Sequence, residues 1–264
     1  MGRFQDKVVW VTGASSGIGA EICKQMNAEG AIVVLSARNK NKLEEVQAQL
    51  VAPEKSLVLQ LDLEDPSNFK EAVETVEKKF QQIDYLFNNG GVSQRGEAGD
   101  TTIEVDRKIM EINYFGTIAL TKMVLPVMRK QGGGHIIAMS SIAGKFGFYW
   151  RSAYSAAKHA IQGFFESLLL EEAKNNIFVT IAYPGKINTD ISMSALNSKG
   201  EAHGEMDHNQ ATGMPVDVCV KQLLKAVVKK KKSVLIGNKE IKAVYLKRYF
   251  PALFWKVIRK QSPT

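Results

Sequence analysis

The sequence predicts an α/β protein built on a doubly wound parallel β-sheet. Three observations lead there. Short β-branched runs alternate with longer helical patterns along most of the chain. Those runs are apolar throughout rather than alternating, as in parallel strands covered on both faces. A glycine-rich turn, TGASSGIG at 12–19, separates the first strand from the first helix.

Each element can be justified in order. KVVWVT (7–12) is the first strand, and the glycine turn leads into a helix over 17–29. AIVVLS (31–36) is the second strand, followed by a Lys/Glu/Gln-rich helix to about residue 50. SLVLQLD (56–62) is the third, and PSNFKEAVETVEKKF (66–80) opens a helix with Pro in its first turn, where the missing N–H costs nothing. DYLFNN (84–89) is the fourth strand, a long helical region covers 102–130, and HIIAMSS (135–141) is the fifth. A helix beginning near Tyr154 lasts to about 175, and IFVTIAYPG (177–185) ends on Pro-Gly punctuation. VDVCVKQLLKAVV (216–228) is helical and SVLIG (233–237) is the last strand. Right-handed crossovers between such strands give one doubly wound domain over 1–240, with a basic amphipathic extension at 241–264.

A chain of 264 residues, 45% hydrophobic and 23% charged, has the composition of a soluble globular protein with a substantial core. Its two cysteines, Cys23 and Cys219, are too few for a disulfide framework or a four-thiolate zinc site. With no signal-peptide layout in MGRFQDKVVW, a reducing, cytoplasmic setting is expected. The net charge of +8 is local: residues 221–264 hold thirteen Lys or Arg against one acid, Glu240, and the rest of the chain is mildly acidic. A nucleic-acid protein would spread its basic residues along the binding face, so nucleic acid is not an expected partner.

Chemistry enters at the glycine turn. Gly13, Gly17 and Gly19 let backbone N–H groups and a helix N-terminus approach a pyrophosphate. An NAD site usually places a carboxylate at the end of the second strand to hold the ribose 2′-hydroxyl. Here no carboxylate lies between Glu29 and Glu44. Arg38 stands there instead, with Ser36 and Ser15 as hydroxyl donors and Lys40 and Lys42 nearby. A planar guanidinium makes paired charged hydrogen bonds to phosphate, so NADP(H) is the expected cofactor.

YSAAK (154–158) puts a phenol and an ammonium on one face of a helix. About 0.7 such spacings arise by chance in a chain of ordinary composition, so the neighbours decide its meaning. Those neighbours are TGASSGIG, Asp62 in LDL, NNGG at 88–91, Asn113, Ser141, the Tyr154–Lys158 pair and PGKINT at 184–189, in that order. On this ordered set the chain resembles the short-chain dehydrogenase/reductases, in the branch that is a single Rossmann domain. The resemblance covers about residues 5–237, and Gly90 stands where the family usually carries alanine. It implies that Asn113, Ser141, Tyr154 and Lys158 form the catalytic set. In that set Ser141 holds the substrate oxygen, Lys158 holds the nicotinamide ribose and Asn113 holds a water linked to Lys158. It also implies that Ser16, Ile18, Asn89 and Gly90 line the cofactor pocket, that Asp62 and Leu63 flank the adenine, and that Ile187 and Thr189 meet the nicotinamide carboxamide, with Pro184 and Gly185 turning the chain towards it. The chemistry agrees: hydride transfer to a carbonyl needs a proton delivered as charge develops on oxygen. A phenol titrates near 10, and a cation such as Lys158 lowers that by roughly 1–3 units.

Two segments remain. Residues 190–214 are polar and too long for a passive connection, which suggests a substrate lid with Met193, Leu196 and Met206 as apolar contacts. His203, Glu205, Asp207 and His208 are too irregularly spaced to be read as a metal site. In the extension, Pro251 breaks any continuous helix, after which Phe250, Leu253, Phe254, Val257 and Ile258 share one arc and Lys256, Arg259 and Lys260 the other. That arc suits either a membrane interface, with the KKKK run at 229–232 adding attraction to anionic lipid, or docking on the protein's own body or a partner subunit. The expected activity is reduction of an apolar ketone or aldehyde, of lipid or steroid type, or the reverse oxidation. The alternatives are a 3-oxoacyl thioester reductase, whose acidic carrier protein would meet Arg129 and Lys130, and a non-catalytic NADP-binding tether. A homo-oligomer, dimer or tetramer, is expected from the resemblance.

Overall fold

A computed structural model describes residues 2–262. Seven parallel strands form one sheet in the order β3-β2-β1-β4-β6-β7-β9. They are β1 (Val8–Thr12), β2 (Ile32–Ala37), β3 (Ser56–Gln60), β4 (Tyr85–Asn88), β6 (Gly134–Met139), β7 (Ile177–Pro184) and β9 (Ser233–Ile236). Side chains alternate to the two faces, so the apolar strand runs feed two cores. Trp10, Leu86, Ile136 and Tyr183 enter one, together with α3 (Phe69–Phe80), α4 (Ile103–Met110), α5 (Gly116–Lys130) and α6 (Ser152–Glu171). Val9, Val11, Phe87 and Ile137 enter the other, covered by α1 (Gly17–Ala28), α2 (Lys40–Gln47) and α8 (Val216–Val228). The strand order reverses between β1 and β4, and in a doubly wound sheet the crevice beyond those strand ends is where ligands bind.

The long helix expected over 102–130 is interrupted. Residues Glu111–Phe115 form a widened π-helical turn between α4 and α5, and Asn113 sits inside it. There the Asn113 side-chain amide donates to the carbonyls of Ile109 and Val92, both at 3.0 Å, and its oxygen accepts from the Val92 N–H at 3.2 Å. This resolves the anomaly of an Asn within an apolar helical pattern: the wide turn gives its amide backbone partners that a regular helix would deny.

Residues 190–214 are not a free loop. Their strand β8 (Leu196–Asn197) pairs in parallel with β5 (Gln94–Arg95), and a short helix α7 (His208–Ala211) follows. The extension forms α9 (Lys242–Tyr249) and α10 (Pro251–Ile258), with Pro251 at the first position of α10 as its missing N–H requires. Among the described residues no helix is long and apolar enough to cross a membrane. The Arg129–Lys130 patch is neutralised, because Arg129 pairs with Glu172 and Lys130 with Glu77 at 2.8 Å. The Lys229–Lys232 run precedes β9, at the opposite end of the sheet from the chain that continues into α9. It therefore cannot act together with the extension at one surface.

Candidate active site

A cavity of about 800 Å³ opens at the C-terminal ends of the strands. Asn113, Ser141, Tyr154 and Lys158 all line it. Three elements bring them together: the π-helical turn, the turn that follows β6, and α6, which carries Tyr154 and Lys158 one helical turn apart. Tyr154 and Lys158 are 9% and 5% exposed, so the pair is not helix surface. The start of α6 is set by Gln94 of β5, whose side-chain oxygen accepts the N–H groups of Ala153 at 2.9 Å and Tyr154 at 3.2 Å.

Burial pushes the Lys158 ammonium down to about 8. It donates to the Met139 carbonyl at 2.9 Å and lies 5.7 Å from the Tyr154 ring centre. Burial holds the Tyr154 phenol above its ordinary value, opposed by a hydrogen bond with Ser141 and by the charges of Arg151 and Arg95. The sequence argument made Lys158 the cation that lowers Tyr154. Two arginines that motif reading passed over, Arg151 and Arg95, also act on the phenol. Ser141 also accepts the Ala143 N–H at 3.2 Å and donates to the Pro184 carbonyl at 3.4 Å.

Those arginines belong to a buried ion cluster. Asp207, from the expected lid, is held by Arg95 through Nε at 2.9 Å and also through Nη2, while Arg151 Nη2 reaches the same carboxylate at 3.1 Å. Arg95 and Asp207 side chains are 2% and 1% exposed. The cluster fastens residues 190–214 to the start of the helix that carries Tyr154. Burial also pushes the Arg151 guanidinium down to about 10, with nearby Arg95 adding to the effect and Asp207 opposing it. No sequence motif marks these three residues, which are far apart in the chain.

The residues expected to hold the cofactor fall into two groups. Ile18, Asn89, Pro184, Gly185, Ile187 and Thr189 line the cavity beside Asn113, Ser141, Tyr154 and Lys158. Gly13, Ser15, Ser16, Gly17 and Gly19 form the turn into α1. Gly13 has φ of +65°, and a Cβ on Gly19 would lie 2.2 Å from the Gly13 oxygen, so the turn tolerates no side chain at either place. Ser16 caps α1 without a side-chain hydrogen bond, leaving first-turn N–H groups for an anion. Thr12 Oγ1 accepts the N–H of Asn89 and of Gly90, both at 3.0 Å, and Asn89 Nδ2 donates to the Thr12 carbonyl at 3.1 Å. A dinucleotide pyrophosphate fits this cradle.

Around it, Leu63 is buried and Asp62 accepts the Glu64 N–H at 3.0 Å. Arg38 is exposed at the end of β2. Ser36 is a correction: it is fully buried and its hydroxyl accepts the Trp10 indole N–H at 2.8 Å, so it does not face a ribose phosphate.

The expected substrate contacts are corrected too. Leu196 packs against the core, and Met193 and Met206 are about two-fifths exposed; none of the three lines the cavity. Ile191 and Gln210 come from that segment instead, and α9 and α10 supply one side of the wall, through Tyr245, Leu246, Tyr249, Val257 and Ile258 among others. The extension is anchored at several points. Glu240 Oε1 accepts the N–H groups of Lys186 at 3.0 Å and Asn238 at 3.1 Å, Lys247 donates to the Lys145 carbonyl at 3.0 Å, and Phe254 packs edge-on against Phe146 at 5.2 Å. A Cβ on Gly185 would lie 2.3 Å from the Glu240 carboxylate. Gly185→Ala is therefore expected to push the extension off the cavity wall, seen as faster proteolysis after residue 237 with the core still folded.

Comparison with known proteins agrees with this architecture. The short chain dehydrogenase family profile matches residues 7–200. The chain is 42% identical over 265 residues to dehydrogenase/reductase SDR family member 7B of Mus musculus, covering 98% of this chain and 82% of that one. It is 39% identical over 266 residues to dehydrogenase/reductase SDR family protein 7-like of Drosophila melanogaster, with the same coverage of 98% and 82%. In structure it resembles a short-chain dehydrogenase from Streptomyces avermitilis, with a TM-score of 0.82 at 27% identity over 97% of this chain and 98% of that one. The chain belongs to the short-chain dehydrogenase/reductase family, oxidoreductases that work with a nicotinamide cofactor.

Proposed function

We propose that this protein is an NADP(H)-dependent oxidoreductase that interconverts an apolar ketone or aldehyde and the corresponding alcohol. The observation that carries the reading is the convergence of Ser141, Tyr154, Lys158 and Asn113 on one cavity whose outer wall is made by aromatic and aliphatic residues of α9 and α10. The nicotinamide supplies or accepts the hydride. The residues do the rest. Tyr154 passes its proton to the substrate oxygen, and Ser141 orients that oxygen. Arg151 and Arg95 stabilise the phenolate left behind, held in place by Asp207. Lys158, buried and charged at neutral pH, holds the ribose side of the cofactor next to Tyr154.

Arg38 supports NADP(H) over NAD(H): it is exposed at the second strand's end, and no carboxylate stands there to repel a 2′-phosphate. Arg38→Ala should weaken NADPH binding about 10–100-fold, the worth of one charge-assisted hydrogen-bond pair, and leave NADH binding nearly unchanged. Fluorescence titration of both nucleotides tests this, and equal effects on the two would overturn the assignment.

The reading includes a homo-oligomer, for which Phe115 in the π-helical turn, Met123 on α5 and Leu170 on α6 offer exposed apolar surface, and peripheral contact of the extension with a membrane. A cytoplasmic, reducing setting is in keeping with Cys23 and Cys219, both free and buried.

A further inference from the structure

The extension is two-faced in a different sense from the one its sequence pattern suggests. On α10, Phe254 is fully buried, and Val257 and Ile258 line the cavity together with Phe250 just before the helix. The apolar arc therefore faces inward. At 100° per residue the opposite arc carries Trp255, Lys256, Arg259 and Lys260, with Leu253 at its border.

Several of the inward residues are also open to solvent. Tyr249 and Phe250 line the cavity and yet are 64% and 63% exposed, which places them at its mouth. Leu253 and Trp255, outside the cavity lining, are about half exposed beside them. So large an aromatic surface around one opening marks a contact site.

Charge says what the contact is with. Residues 238–262 contain seven Lys or Arg and one acid, Glu240, whose carboxylate is turned inward to the Lys186 and Asn238 N–H groups. A second copy meeting this face through the same face would set cations against cations. Aromatic and aliphatic side chains mixed with unopposed cations match the headgroup region of an anionic bilayer.

We propose that the outer face of α9 and α10 seats the protein on an anionic lipid surface, with the cavity mouth against the bilayer, so that an apolar substrate passes from lipid to the active site without crossing water. The seating deepens the membrane contact proposed above, and the substrate half rests on the proposed activity.

The test is co-sedimentation of the full chain with phosphatidylcholine vesicles, with and without phosphatidylserine. Binding is expected only with phosphatidylserine. It should fall about 100-fold or more in K256E/R259E/K260E, from the several-fold contribution of each cation near the surface. The L253S/W255S variant should bind less through lost apolar insertion. The control is K229E/K231E/K232E, which makes the same change in net charge at the far end of the sheet and should keep its binding. Absence of binding to phosphatidylserine vesicles, or equal loss in the control, would overturn the proposal. So would a change of L253S/W255S in oligomeric mass without a change in vesicle binding, which would make the face a subunit contact. Because no nucleotide or ketone is present, a wrong cofactor or substrate assignment leaves this result untouched. A second readout follows turnover: K256E/R259E/K260E should reduce a water-soluble ketone normally and a vesicle-embedded one slowly.

Discussion

Replacing Tyr154 with Phe is expected to reduce turnover about 10²–10⁴-fold, the usual worth of a positioned general acid or base. Phe keeps the ring that fills the 9% exposed position, so the fold and the cavity should survive. What it removes is the phenol proton, held by Ser141 and by the charges of Arg151 at the start of α6 and Arg95 on β5. Nucleotide affinity, measured by the same titration as for Arg38→Ala, should stay close to that of the unaltered protein. Loss of nucleotide binding together with turnover would show that the phenol serves binding instead. Unchanged turnover would remove Tyr154 from the mechanism. The pH profile gives an independent check. Burial lowers Lys158 to about 8, so its charge is complete below that pH and disappears as pH rises through it. With the cation gone, kcat/KM for reduction should decline above a pH of about 8.

Replacing Asp207 with Ala is expected to cost about 3–5 kcal/mol of stability, the usual consequence of leaving buried charge without its partner. For a chain of this size that corresponds to a fall in Tm of roughly 6–20 °C. Two guanidiniums, the buried Arg95 and the largely buried Arg151, would then be left without the carboxylate they share. The loss should reach the chemistry as well. Asp207 joins residues 190–214 to β5, and β5 sets the start of α6 through Gln94. Thermal unfolding followed by circular dichroism measures the first effect. Pairing the change with Arg95→Met, which removes one of the stranded charges, should recover part of the lost stability. No recovery would mean that the cost lies in the 190–214 backbone rather than in the charges.

The strands and their order along the chain were legible because an apolar run of five or six residues between polar turns has few other uses. The glycine turn and the Tyr154–Lys158 pair were legible for a related reason: close backbone approach and helical spacing are local properties. The π-helical turn at Glu111–Phe115 was not, although Asn113 within an apolar pattern signalled that a regular helix would be strained there. Ser36 was misplaced because its position in β2 gives no sign of the Trp10 indole on the neighbouring strand. Met193, Leu196 and Met206 were chosen for being apolar in a polar segment, but pairing with β5 directs that segment's side chains elsewhere.

The sequence by itself determined the doubly wound sheet, the glycine turn, the Tyr154–Lys158 pair and the amphipathic character of the tail, while the fuller set with Asn113 and Ser141 came from the family resemblance. The turn, the pair and the tail each follow from spacing within one element, where backbone geometry fixes which residues are neighbours. Only the tertiary structure brought Arg95 and Arg151 near Tyr154, placed the Asp207 carboxylate between them, and decided which way the apolar arc of α10 faces. Arg95, Arg151 and Asp207 lie on three separate segments, and their meeting depends on how β5, α6 and the 190–214 segment pack. The tail's apolar arc is compatible with lipid, a partner or the protein's own body until Phe254 is seen against Phe146. Contacts between distant segments depend on the shape of the whole fold, and no local pattern carries that information.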